Sequence, residues 1–69
     1  MRLDTKRLYT AMARACMTAA EVQESSGVPR GTYIKAVAGK NVRPATAGKI
    51  AKALHCDVLE LLTEEGNAS

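Results

Sequence analysis

The sequence predicts an all-α fold, a compact bundle of four to five helices in a single domain. The chain has 69 residues, no phenylalanine, no tryptophan and two tyrosines, so its core must be built mainly from Ala, Leu, Val, Ile and Met. This composition favours closely packed helices over a sheet. Apolar residues recur at helical spacing, and capping residues and glycines divide the chain at helix-sized intervals. We expect a core over about residues 3–65 and a frayed tail at residues 66–69.

A first helix is predicted at about residues 4–15. Asp4 is a good N-cap, and Leu3 before it can pack against Leu8. An apolar stripe at helical spacing consists of Leu8, Ala11, Met12 and Ala15. Cys16 falls on the inner side of this helix, so we expect it to be a buried or half-buried free thiol.

A second helix is predicted at about residues 19–26. Thr18 and Glu21 have the spacing of a capping box, in which each side chain hydrogen-bonds the backbone of the other residue. Gly27 should end the helix, because glycine adopts the positive φ of a helix C-terminus at little cost.

A third helix follows after a very short connection, at about residues 30–38. Pro29 suits the first helical position, where a missing N–H costs nothing, and Gly39 can end the helix. So short a connection sets the two helices at a steep angle. This is the organisation of a helix-turn-helix, in which the later helix enters the major groove of DNA.

A fourth helix is predicted at about residues 45–55, launched by Pro44. Gly48 inside it costs about 1 kcal/mol relative to alanine, so we expect a close approach of another helix there. Its apolar face consists of Ala47, Ile50, Ala51 and Leu54.

A fifth helix is predicted to open at the second capping box, Asp57 and Glu60. Its inward-facing residues should be Val58, Leu61 and Leu62.

Charge is unevenly distributed along the chain. All ten Lys and Arg residues lie in residues 1–56 with three acidic residues, giving +7, whereas residues 57–69 hold four acidic and no basic residues, giving −4. The excess of basic residues in residues 1–56 suits a polyanionic partner. By itself, however, this charge pattern is equally typical of an ordinary solvent-exposed surface.

Other features argue against several kinds of function. The chain has one histidine, no carboxylate pair placed in a cleft and no glycine-rich phosphate loop. These features predict that the protein is not an enzyme. Cys16 and Cys56 lack metal-ligand spacing, so we expect no metal. A chain this small has no room for an enclosed cofactor site as well as a core, so we expect no cofactor. Because we expect a cytoplasmic protein, we also expect no disulfide. The N-terminal residues lack the apolar stretch typical of a signal peptide, so we expect none, and no apolar run approaches the roughly 20 residues that a membrane span needs. We therefore expect a cytoplasmic protein without a membrane partner or a small-molecule ligand.

Residues 17–62 resemble, without a gap, the DNA-binding domain of the Cro/XRE phage-repressor family, whose fold is the lambda-repressor-like bundle. The ordered set of matches carries the resemblance, since no single match is specific. The set comprises Thr18, Glu21-Val22, Gly27-Val28, Arg30, Thr32, Gly39-Lys40, Arg43-Pro44, residues 50–54 and residues 57–62.

The resemblance implies that helix 3 reads bases while the start of helix 2 and the loop after helix 3 hold phosphates. An arginine in the first turn of helix 3 fits this role, because the helix dipole disfavours a cation there unless an anionic partner is present. The implied base-reading residues are Arg30, Gly31, Thr32 and Lys35. The implied phosphate contacts are Thr18, the N–H of Ala19, Lys40, Asn41 and Arg43.

The chain departs from the family pattern at five positions. The family usually has a small residue at Gln23, an apolar residue at Ser26 and a phosphate-binding glutamine at Ala19. It usually has Ile or Val at Tyr33 and a polar residue at Ile34. Two alternatives stay open for each of the last two: Tyr33 is either a core residue or a DNA contact, and Ile34 either touches a thymine methyl or joins a repacked core.

Two functions follow from these observations. The first is a sequence-specific regulator of transcription that binds double-stranded DNA; whether it binds as a monomer or as a homodimer on two half-sites stays open. The second is a protein-interaction module on the same fold, antitoxin-like or an accessory factor of a mobile element, which would dock through the acidic, leucine-bearing residues 57–65.

Overall fold

The computed structural model describes residues 1–62 and confirms an all-helical fold. Four α-helices are followed by one 3-10 turn, and this part of the chain contains isolated β-bridges but no strand. The predicted tail at residues 66–69 lies outside the described residues. The helices are α1 (Thr5–Ala15), α2 (Ala19–Ser26), α3 (Arg30–Val37) and α4 (Pro44–Ala53), and the 3-10 turn is Val58–Glu60.

Local capping positions the first helix as predicted. The Asp4 carboxylate accepts a hydrogen bond from the Arg7 backbone N–H at 3.1 Å. Leu3 and Leu8 are both fully buried, as expected for an apolar residue before the N-cap that packs on the following turn. The start of α1 is thereby fixed by one polar and one apolar interaction.

Cys16 is exposed, contrary to the expectation of a buried or half-buried thiol. The helix ends at Ala15, and Cys16 takes a left-handed φ of 56°, so its side chain does not continue the apolar stripe. Cys56 is half-buried, and burial, followed by the nearby Glu60 and Asp57 carboxylates, raises the pKa of its thiol. Both cysteines are free thiols.

The two prolines lie at the starts of helices, Pro29 just before α3 and Pro44 at the first position of α4. Pro29 lies one residue before α3, in an extended conformation with ψ 144°, and its carbonyl accepts the Tyr33 N–H at 2.9 Å. Pro44 is itself the first residue of α4. That helix ends at Ala53, two residues before the predicted end, because the backbone turns left-handed at His55 with φ 56°.

The core is built from small and aliphatic side chains, as the composition requires. All four predicted inner residues of α4 are buried, as are three of the four of α1. A methyl group placed on Gly48 would have no atom within 4 Å, so the predicted close approach at this glycine is wrong. The core residues are Leu3, Leu8, Ala11, Met12, Val22, Val28, Tyr33, Ala36, Ala47, Ile50, Ala51, Leu54, Leu61 and Leu62.

The predicted fifth α-helix is a single 3-10 turn. Its capping box is present, and Leu61 and Leu62 are buried as expected while Val58 is partly buried. However, the Leu61 carbonyl accepts the Asp4 N–H at 2.7 Å, and Leu62 forms an antiparallel bridge with Leu3. Pairing with the N-terminal segment therefore extends the chain where a helix would have continued.

None of the helices within residues 1–62 has the length and hydropathy needed to cross a membrane. In the same part of the chain, no group of three or more His, Cys, Asp or Glu residues is arranged to hold a metal ion.

Candidate DNA-binding surface

The start of α2 presents backbone donors at a well-capped helix end. The Thr18 hydroxyl oxygen accepts the Glu21 N–H at 3.2 Å, and the Glu21 carboxylate accepts the Thr18 N–H at 2.9 Å. These bonds lower the pKa of Glu21, the Thr18 backbone having the largest effect. The first N–H groups of a helix lack intrahelical partners, so the exposed Ala19 offers a donor to an anion without needing a polar side chain.

The turn between α2 and α3 is held by two of the side chains that depart from the family pattern. Gln23 donates from Nε2 to the Val28 carbonyl at 2.9 Å. The Ser26 hydroxyl donates to the Gln23 carbonyl at 3.0 Å and accepts the Val28 N–H at 3.3 Å. Gly27 supplies the left-handed backbone between them, with φ 71°. Polar bonds across the turn thus accompany the burial of Val28 and fix the angle of α3.

One side of α3 is anchored in the core. Tyr33 is 5% exposed and Ala36 is fully buried, which decides the open question for Tyr33: it is a core residue. Its hydroxyl donates to the Met12 sulfur at 3.7 Å, and burial raises its pKa. At the end of the helix, the Thr5 hydroxyl donates to the Val37 carbonyl at 2.7 Å. Helix α3 is therefore held to α1 by both apolar and polar contacts.

The opposite side of α3 faces solvent and carries three of the four predicted base-reading residues. Arg30, Gly31 and Lys35 are exposed, whereas Thr32 lies half-buried at the boundary with the core. A methyl group placed on Gly31 would meet no atom within 4 Å, so this stretch of helix can approach a flat or grooved surface closely. Ile34 is also on this side, 54% exposed, and is therefore not part of a repacked core.

The loop after α3 is tied to the N-terminal segment. The Val42 N–H donates to the Met1 carbonyl at 2.7 Å, and Asn41 bridges to Arg2. The Asn41 side-chain oxygen accepts a hydrogen bond from the Met1 nitrogen at 3.1 Å, which leaves its amide N–H₂ group to donate. Lys40 and Arg43, the flanking cations of the loop, are exposed.

Within residues 1–62, the cations of this surface form no ion pairs with acidic side chains. The ion pair found there joins Arg14 to Glu60 at 3.5 Å, with side chains 75% and 50% exposed; it lies apart from α3. No ion pair within residues 1–62 involves the surface cations, Arg30, Lys35, Lys40 and Arg43. Cations without ion-pair partners in this part of the chain, beside a helix start whose first N–H groups have no intrahelical partner, make this surface suitable for a polyanion.

The turn at Gly27 and the helices α2 and α3 on either side of it are those of a DNA-binding helix-turn-helix domain. The sequence profile of the helix-turn-helix family matches residues 11–61. The chain belongs to this Cro/C1-type, or XRE, helix-turn-helix family.

One solved structure is similar to this protein over most of both chains. The crystal structure of the transcriptional regulator VanUg, form II, superposes with a TM-score of 0.75 at 25% sequence identity, covering 87% of this chain and 80% of that one. Among curated proteins, no sequence match was found.

The sequence pattern by itself assigns no role to three residues of this surface that the structure makes prominent. Gln23 and Ser26 stand out as departures from the family, but nothing local indicates their bonds across the turn. Tyr9 lies outside the apolar stripe of α1 and is 53% exposed. Its position outside that stripe is the one sequence feature that indicates a surface location for this aromatic residue.

Proposed function

We propose that this protein is a transcriptional regulator that binds double-stranded DNA sequence-specifically and reads the major groove with α3. The observation that carries the proposal is the two-sided character of α3. One side is fixed in the core through Tyr33 and Ala36, and the other presents Arg30 and Lys35 to solvent without ion-pair partners in residues 1–62. Membership of the helix-turn-helix family and the likeness to VanUg, a transcriptional regulator, support the same class.

Each end of the surface has its own role in this proposal. Arg30 donates in bidentate fashion to a guanine, and Thr32 and Lys35 contact neighbouring base edges. Gly31 lets the helix backbone approach the bases closely. The phosphate contacts that set register come from Thr18, the Ala19 N–H, Lys40, Asn41 and Arg43. The protein acts by binding alone and is not an enzyme.

Two substitutions test this division between base reading and phosphate binding. Arg30→Ala should weaken binding to the preferred duplex by about 1–3 kcal/mol and change binding to random DNA little. Lys40→Ala should weaken both nearly equally and reduce the slope of log K against log salt by about one. The measurement is fluorescence anisotropy on a duplex selected from a random pool and on its scrambled version, at several salt concentrations.

Lys52→Ala is the control, because it removes an exposed cation from the last turn of α4. It should keep the ratio of specific to random binding. If Arg30→Ala also keeps that ratio, α3 does not read bases through this residue.

A protein-interaction module is the second candidate, and one observation favours it. Leu59 is 64% exposed within the acidic end of the described chain, where it could contact a partner protein. Wild-type protein that shows no salt-dependent DNA binding would place this function first.

A further inference from the structure

An apolar groove lies between α1 and α3, beside the base-reading residues. Its walls include two large side chains, Tyr9 of α1 at 53% exposure and Ile34 of α3 at 54% exposure. Ala19, at the start of α2, lines the same groove. The groove therefore connects the helix end proposed to hold a phosphate with the helix proposed to enter the major groove.

Ile34 lies on the DNA-facing side of α3. It follows Arg30 by four residues, which is about 40° beyond one full helical turn, so the two side chains project in similar directions one turn apart. An exposed Ile34 beside Arg30 places a branched apolar surface where base edges would lie.

The donors available to the groove are few. Tyr33 also lines the groove, and its hydroxyl already donates to the Met12 sulfur. Tyr9 has no side-chain hydrogen bond within residues 1–62, so its hydroxyl is free to donate. Together with the Ala19 N–H, it gives the groove polar donors at an otherwise apolar site.

We propose that this groove receives one thymidine nucleotide of the operator. Its phosphate accepts hydrogen bonds from the Ala19 N–H and the Tyr9 hydroxyl, its deoxyribose packs on the Tyr9 ring, and its 5-methyl group contacts Ile34. Thymine fits because it is the base that presents a methyl group in the major groove. The proposal rests on the proposed DNA-binding function and adds two residues to it, Tyr9 as a phosphate contact and Ile34 as a determinant of specificity.

Continuity with the DNA-binding surface favours DNA over a second protein as the occupant. The groove is bounded by Ala19 and Ile34, which belong to the two helices of the helix-turn-helix. A protein seated there would cover the start of α2 and one flank of α3, and would compete with DNA for both. A nucleotide, in contrast, has an anionic end for the donors and apolar sugar and methyl groups for the walls.

The experiment compares thymine with uracil, which lacks only the 5-methyl group. A preferred duplex is selected from a random pool, and deoxyuridine then replaces each of its thymidines in turn. For wild-type protein, one replacement per half-site should weaken binding about fourfold, the value of one buried methyl-sized group. Ile34→Ala should bind the two duplexes equally, while Ile34→Val, which keeps a branched side chain, should retain most of the difference.

Tyr9→Phe separates the phosphate contact from the methyl contact. Loss of a hydrogen bond to a charged group should weaken binding about tenfold on thymine, uracil and scrambled duplexes alike, and the thymine-to-uracil ratio should persist. Thermal melting of each variant confirms that it is folded, which is expected because both side chains are about half exposed.

The outcomes separate this inference from the proposed function. Sequence-selective wild-type binding with no sensitivity to uracil, or with the same sensitivity in Ile34→Ala, overturns the inference and leaves the regulator intact. Absence of any selective binding by the wild type overturns both. An oligomeric state that Ile34→Ala changes in sedimentation, with an unchanged thymine-to-uracil ratio, assigns the groove to a second copy of the chain and also overturns the inference.

Discussion

Individual backbone conformations decide where each helix of this protein ends. Gly27 and Gly39 take φ values of 71° and 81°, and Cys16 and His55 take 56°. After α4, the His55 and Cys56 N–H groups return to the carbonyls of Lys52 and Ala51, both at 3.1 Å. This is the Schellman pattern, here formed around a histidine where glycine is usual.

The two glycines Gly27 and Gly48 should respond to alanine with opposite signs. Gly27→Ala should destabilise the protein by about 1–2 kcal/mol, because it forces a side chain into a left-handed backbone. Gly48→Ala should stabilise it by about 1 kcal/mol, because this position is inside a helix and the added methyl group meets no atom within 4 Å. Chemical denaturation of both variants measures the difference. Destabilisation by Gly48→Ala would mean that this position packs against something after all.

At the scale of elements, the turn between α2 and α3 is the decisive connection. The family pattern places a small residue at Gln23, which allows close contact of helices. Here Gln23 and Ser26 hydrogen-bond the backbone around Gly27 and Val28 instead. The angle of α3 therefore depends on polar side chains as well as on packing.

Gln23→Ala should cost about 1–3 kcal/mol of folding stability, because it leaves the partly buried Val28 carbonyl without its donor. Glu24→Ala, at the exposed neighbouring position, is the matched control and should stay within about 0.5 kcal/mol of wild type. Urea unfolding provides the comparison. Equal stabilities for the two variants would show that the Gln23 bond contributes nothing to the turn.

On the scale of the whole molecule, the ends of the described chain close the core. Leu3 bridges to Leu62, and the Asp4 N–H donates to the Leu61 carbonyl. These contacts join the N-terminal segment to residues 61 and 62, at the C-terminal end of the described part of the chain. For a chain of this size, total stability is of the order of 3–10 kcal/mol, so one such contact region is a large part of it.

Leu61→Ala should therefore destabilise the whole domain. Leu61 is fully buried, and leucine-to-alanine changes in cores cost about 2–5 kcal/mol. Leu59→Ala, in the 3-10 turn just before Leu61 but with a side chain 64% exposed, should change stability by less than about 0.5 kcal/mol. Thermal unfolding followed by circular dichroism distinguishes them, and similar melting temperatures would show that the turn is not part of the cooperative core.

Local signals in the sequence determined α1, α2 and both capping boxes. Such features depend on residues within one helical turn of each other, for example Thr18 with Glu21. The helix ends near Gly27 and Gly39 depend on a single residue, because glycine adopts the positive φ at little cost. The ordered motif from residue 17 to residue 62 was also sufficient to identify the family. The proposed roles of Arg30, Lys35 and Lys40 come from that resemblance, and the structure adds that these side chains are exposed.

Tertiary structure alone decided the remaining features. The fifth helix became a 3-10 turn because the backbone of Leu61 and Leu62 pairs with residues nearly 60 positions earlier. Tyr33 is a core residue whose hydroxyl bonds to Met12, 21 positions earlier, and its neighbour Ile34 lies on the exposed side of α3. Pairing between distant residues competes with local helix preference, and its outcome depends on packing that no short stretch of sequence encodes.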